Sequence, residues 1–204
     1  MAKRKIKSNS WLIVIGSLLF LIGISFIVYD YYSNKSLNNL ENQALEDFYN
    51  EEIIIDDEST DDTQENIEVK DQVKINYIAV LKIPKINLER GLVDPNSYSN
   101  NVNYNVQILK DSSMPDVNKG NLILAGHSGN ARISYFRNLD KLSIGDDIFI
   151  DYNNKNYNYK VSDIYDIEKT GTAEIVRDKN KSTLTLITCR HNTNKQIVII
   201  CELQ

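Results

Sequence analysis

The sequence predicts a mostly β domain carried behind one membrane-spanning helix, and three observations predict it. A 19-residue run without charge, Trp11 to Tyr29, stands near the N-terminus. An acidic, Asn-rich stretch follows it. From Tyr77 to Gln204 short apolar runs alternate with turn residues, the pattern of seven or eight strands closed into a barrel or packed as a sandwich. The 42% hydrophobic and 25% charged residues are the balance of a globular protein with one buried core. A formal net charge of -5 argues against nucleic acid as a partner, because neutralising phosphates calls for a basic face.

As a helix, WLIVIGSLLFLIGISFIVY spans about 28 Å, close to the roughly 30 Å hydrocarbon core of a bilayer. Lys3, Arg4, Lys5 and Lys7 precede it, and the first charge after it is Asp30. The positive-inside bias makes residues 1–10 a cytoplasmic basic tail and places the chain beyond Tyr29 outside the cell. Trp11, Tyr29, Tyr31 and Tyr32 stand where an interfacial aromatic belt lies. The run exceeds the apolar core of a signal peptide, about 7 to 15 residues, and no small-residue cleavage site follows it. Residues 11–29 are therefore expected to be an uncleaved single-pass anchor in the cell membrane.

Residues 30–76 are expected to be an extracellular stalk. Between Glu46 and Asp71 the one basic residue, Lys70, stands against twelve acidic residues, and like charges extend a chain. Ser36 to Tyr49 has the spacing of a short helix through Leu37, Leu40, Ala44, Leu45 and Phe48, while the rest carries too little apolar surface to order itself. Calcium is not expected there, since an oxygen cage needs a turn-forming Gly that the stretch lacks.

In the domain, residues 77–204, Ile78 to Ile83 reads as a strand ended by Pro84, which has no backbone donor. Val106 to Leu109 and Leu122 to Ala125 are two further short strands. Ile148 to Tyr152 and Tyr157 to Val161 flank Asn153-Asn154, a hairpin turn. Ile133 to Leu142 reads as a helix, with Tyr135, Phe136, Leu139 and Leu142 at three-to-four spacing. Thr183 to Cys189 and Gln196 to Cys201 flank the last turn.

Two cysteines outside a cell invite a disulfide. If residues 190–195 form the turn of an antiparallel hairpin, Cys189 lies opposite Gln196 and Cys201 sits about 17 Å farther along. A bridge needs Cα atoms within about 7 Å, so Cys189 is expected to be free and Cys201 a small buried residue. A thiol at a strand end is held firmly yet reaches solvent, and it becomes a nucleophile when a base adjoins it. His127, in Ala-Gly-His-Ser-Gly at another strand-to-loop junction, is the candidate base.

These residues resemble the sortase family. Thr183-Leu-Thr-Leu-Ile-Thr-Cys189 is similar to the family's Thr-Leu-x-Thr-Cys signature, and Gly120-Asn-Leu-Ile-Leu-Ala-Gly-His127 to the segment bearing its histidine. Phe136 to Ile148 resembles the stretch after that histidine, and Leu81 to Ile86 the first strand. The resemblance implies an eight-stranded β-barrel with one or two short helices, and a cysteine transpeptidase without a cofactor. Its substrates would be secreted proteins with a C-terminal motif similar to Leu-Pro-x-Thr-Gly, and its acceptor an amine of a cell-wall precursor or a pilin. Among the family's classes the short A, D and E types fit, D best.

Cys189 would then attack the carbonyl while His127 moves the proton. The family's oxyanion donor is an arginine of the last strand, and here the sequence departs: Gln196 stands at that place, preceded by Lys195. Arg190, the one arginine after the cysteine, is the candidate, with Lys195 and Gln196 as alternatives. Acidic residues of the loops, Asp111, Asp116, Glu168, Glu174 and Asp178, read as solvated charges rather than a calcium site. Two other readings compete. Cys189, His191 and His127 could ligate a hydrolytic metal ion, or the domain could be an inert surface module that has lost its arginine.

Overall fold

The computed structural model describes residues 10–55 and 75–204. Contacts divide the chain into two units, one ending at Gln43 and one running from Ala44 to Gln204. The basic tail expected at residues 1–10 lies, apart from Ser10, outside the described residues.

Helix α1 runs from Ser10 to Ile55. It is the one helix among the described residues that is long and apolar enough to cross a membrane. Its large apolar residues are bare: Trp11, Leu18, Phe20 and Phe26 are each more than half exposed. A surface of that kind has no place in water and suits lipid. The stalk expected over residues 30–76 is helical through Ile55, which includes the short helix expected at residues 36–49 and extends it on both sides. Ala44 and Phe48, one turn apart, are buried with Tyr77, Val80 and Val93 within the second unit, while Glu46, Asp47 and Glu51 face solvent. That burial supplies what the acidic composition lacks, because tertiary packing of one face stabilises a helix more than propensity does.

The second unit is an eight-stranded sheet rolled into a nearly closed barrel. Its strands are β1 (Ala79–Ile83), β2 (Leu88–Leu92), β3 (Gln107–Ile108), β4 (Asn121–Ala125), β5 (Asp147–Tyr152), β6 (Lys155–Glu168), β7 (Thr183–Cys189) and β8 (Lys195–Leu203). The spatial order is β2-β1-β5-β6-β8-β7-β4-β3. Pro84 ends β1 as expected, and Asn153 and Asn154 both take positive φ, 49° and 57°, as the tight turn between β5 and β6 requires. The β2 strand was not visible in the sequence, since Glu89, Arg90 and Gly91 interrupt its apolar pattern.

Two open edges remain, at β2 and β3, and one side chain bridges them. Asn105, 3% exposed, donates from Nδ2 to the Gly91 carbonyl at 2.9 Å and accepts from Arg90 Nε at 2.5 Å. The barrel interior is filled by alternate residues of each strand, among them Leu81, Leu124, Ile150, Leu186 and Ile199. The helix expected over Ile133 to Leu142 is instead a chain of turns with one 3-10 turn at Leu139–Lys141. Phe136 N donates to the His127 carbonyl at 3.0 Å, and Phe136, Leu139 and Leu142 are buried beneath the barrel end. The apolar spacing thus served a tucked loop, which buries the same side chains without helical turns.

Because the Asn105 carboxamide serves two buried partners, Asn105→Ala should lower stability by about 1–3 kcal/mol. Urea unfolding with an unchanged slope would show it; a midpoint equal to wild type would refute the bridge.

Candidate active site

The β4 and β7 strands run parallel, with Ala125 paired to Ile187. The pairing continues past the end of β4: Gly126 N donates to the Ile187 carbonyl at 3.2 Å, and Thr188 Oγ1 donates back to the Gly126 carbonyl at 2.6 Å. His127 follows two residues past the end of β4, and Cys189 ends β7, so both lie at the same edge of the paired strands. Neighbouring strands lie about 4.8 Å apart, within the working range of a nucleophile and its base.

Alternation fixes the face as well. Leu124 and Leu186 point into the barrel, whereas Ile123 and Ile187 point outward and pack with Val198 and Ile200 of β8. Cys189, within β7, shares the parity of Ile187, and His127 lies in the loop just past β4. Both are half-buried, and the Cys189 thiol is free. His127 Nε2 lies 3.5 Å from Asn103 Oδ1, a long contact that leaves the imidazole available.

Gly126 stands just before the histidine. In the fold it makes room for an aromatic ring. A Cβ there would stand 2.9 Å from the Phe136 ring, so the missing side chain lets Phe136 seal the barrel end beneath the histidine.

The apolar outer face leads away from the two residues. Ala173 and Ile175, from the loop between β6 and β7, pack onto Ile123, Ile187, Val198 and Ile200. Tyr165 pins that loop, its hydroxyl donating to the Glu174 carbonyl at 3.1 Å and accepting from Val176 N at 2.8 Å. Its burial there raises the phenol's pKa above the ordinary value. The sequence carried no signal for this floor, because on continuous apolar strands the pattern does not say which face is which. Cys189 itself lines a cleft of ≈ 120 Å³, shared with Ser128, Arg137, Asp140, Arg190 and His191 among others.

The expected hairpin register is present: Cys189 pairs with Gln196, and Cys201 pairs with Leu184. The two sulfurs are five pairs apart, and both cysteines are free. Arg190 lines that cleft too, with its guanidinium held by a neighbouring strand. Its Nε donates to Asp166 Oδ1 of β6 at 2.6 Å, and its backbone N donates to the Lys195 carbonyl at 2.9 Å. Lys195 is exposed and Gln196 half-buried. Asp166, Asn103 and Thr188 were not singled out from the sequence; each acts through a partner that only the fold brings near. Among the described residues no three His, Cys, Asp or Glu side chains are grouped to hold a metal ion, so the Cys189, His191 and His127 arrangement of a metal hydrolase is not formed.

Burial in the apolar interior pushes the Cys201 thiol well above its ordinary pKa, which keeps it protonated and unreactive. Iodoacetamide should therefore label the folded chain once, at Cys189, and Cys201 only after unfolding. Peptide mapping that finds Cys201 labelled in native buffer would contradict this placement.

Comparisons with known proteins agree with this architecture. The family model of the sortase domain matches residues 81–204. Sortase A of Bacillus anthracis is 27% identical over 195 residues, covering 91% of each chain. Sortase D of Bacillus subtilis is 31% identical over 110 residues, covering 54% of this chain and 52% of that protein. The solved structure of a Clostridium perfringens Sortase D5 transpeptidase superposes with a TM-score of 0.54 at 25% identity, over 63% of this chain and 79% of that one. With the barrel, the strand-end cysteine and the matching segments in place, the chain belongs to the sortase family.

Proposed function

We propose that this sortase is a membrane-anchored cysteine transpeptidase that cleaves a C-terminal sorting motif similar to Leu-Pro-x-Thr-Gly in secreted proteins. It passes the cleaved protein to an amine of the cell wall or of a pilin. The observation that carries the reading is the parallel pairing of β4 with β7, which brings the segment leading to His127 and the strand end bearing Cys189 to one edge, near an apolar floor suited to the motif's Leu and Pro. A short class, D-like, is supported by the likeness to Sortase D of Bacillus subtilis.

In this mechanism the Cys189 thiolate attacks the peptide carbonyl and forms a tetrahedral oxyanion. The C–N bond then breaks, and His127 donates its proton to the departing amine, leaving a thioester on Cys189. The incoming amine attacks the thioester, gives a proton to His127, and the thiolate leaves. The oxyanion needs a further donor, the role for which the sequence offers Arg190, Lys195 and Gln196. The helical span at residues 11–29 holds the domain at the outer surface of the membrane, with the basic tail inside, so that exported substrates meet the site as they emerge.

The test is transfer itself. Purified full-length protein in detergent, incubated with a library of sorting-motif peptides and an amine, should release a truncated peptide joined to the amine. Cys189→Ala should abolish the product, and His127→Ala should slow it by roughly 10²- to 10⁴-fold. Product masses unchanged in Cys189→Ala would overturn the assignment, and absence of any Cys189-dependent product would favour the inert module.

A further inference from the structure

Resting on the transpeptidase reading, we infer that the oxyanion donor of this sortase is the neutral carboxamide of Gln196, with Arg190 committed elsewhere as a structural ion pair. Three strand ends carry the inference. Cys189 is paired with Gln196 across β7 and β8. The next rung is hydrogen-bonded, since Arg190 N donates to the Lys195 carbonyl, so Cys189 and Gln196 form the closer, non-hydrogen-bonded type of pair. Their Cβ atoms are then about 4.5–5.5 Å apart and project to the same face. That face is the one to which Ile187 and Val198 point, with His127 on the far side of the cysteine. Base, nucleophile and carboxamide thus stand at one edge of β4, β7 and β8.

Of the two competing cations, Arg190 lines the cleft that Cys189 also lines, but its guanidinium is taken up by Asp166. Asp166 is paired with Ile197, a barrel-interior residue, and holds the Arg190 guanidinium at 2.6 Å. Swinging Arg190 round to the thiol would break that charge-assisted bond. Lys195 lies across the rung from Arg190, shares its face and is exposed. The Gln196 carboxamide is half-buried and has no hydrogen bond to another described residue, so its N–H groups are free to meet an oxyanion. A side-chain amide is a competent donor for a tetrahedral intermediate, worth about 10²- to 10³-fold in rate. Being uncharged, it stabilises the oxyanion as a fixed dipole and adds no positive charge beside the thiol.

Two measurements test the inference on the full-length protein. The first is acyl transfer from a Leu-Pro-x-Thr-Gly peptide. Gln196→Glu, nearly isosteric but without donors, should lose about 100-fold in kcat with KM little changed. Gln196→Arg should stay active, and Asp166→Asn, which releases Arg190, should change the rate by less than about threefold. The second needs no turnover: the rate of Cys189 alkylation by iodoacetamide as a function of pH. Gln196→Arg places a cation beside the sulfur and should move the midpoint of that profile to lower pH, whereas Arg190→Ala should leave it in place. Of the charged groups that line the cleft with Cys189, Arg137, Asp140 and His191 are the same in all variants, as is His127 past the end of β4, and only Arg190 is changed, in Arg190→Ala. A wild-type rate in Gln196→Glu, or a profile that Arg190→Ala moves and Gln196→Arg does not, would overturn the inference alone. A wild-type chain that forms no acyl-enzyme with any sorting-motif peptide would overturn the proposed function and the inference with it.

Discussion

The parallel pairing of β4 with β7 is the constraint on which the rest depends. Every other neighbouring pair in the sheet is antiparallel. In a parallel pair the C-terminal ends of both strands emerge at the same edge, so the residues just after β4 and at the end of β7 are brought together. An antiparallel partner would have carried His127 and Cys189 to opposite ends of the barrel. The β7–β8 hairpin then folds the start of β8 back beside the end of β7, and a third strand end joins the first two.

What surrounds those ends is decided by which side of the sheet each residue faces. The register of β6 on β8 shifts between Val161 and Asp163. A bulge of that kind inserts a residue and resets the alternation. Val161 before it faces the barrel interior; after it Tyr165 and Ile167 join the outer apolar cluster, and Asp166 falls opposite Ile197. The same shift therefore supplies the tyrosine that pins the loop over the floor and the carboxylate that holds Arg190.

Much of the fold was legible because its signals are local. Pro84 stops β1, the Asn153-Asn154 pair makes its turn with two positive φ angles, and the five-position offset of Cys201 from Gln196 along the strand is enough to forbid a disulfide. What stayed hidden depends on distant partners. The spacing at residues 36–49 announced a helix, but not the surface of Tyr77, Val80 and Val93 that Ala44 and Phe48 pack against, nor that the helix runs on to Ile55. Ile133 to Leu142 has helical spacing, yet the segment turns back so that Phe136 can meet the His127 carbonyl. At the site, Cys189 and His127 were each recognisable as strand-end residues. Their adjacency was not, since no local pattern reports a parallel pairing between segments some sixty residues apart in the chain. Arg190 looked available for the same reason: its partner Asp166 is 24 residues away on a strand whose face depends on the bulge.

Adjacency of positions 127 and 189 can be read directly by covalent capture. In His127→Cys the new thiol should bridge to Cys189 under mild oxidant, because Cα atoms on neighbouring strands fall within the roughly 7 Å that a disulfide requires. Mass spectrometry should then find the loss of the two thiol hydrogens and a linked peptide pair containing residues 127 and 189. A variant that keeps both thiols reduced under those conditions, or links residue 127 only to Cys201 or to another chain, would show that the two positions do not meet.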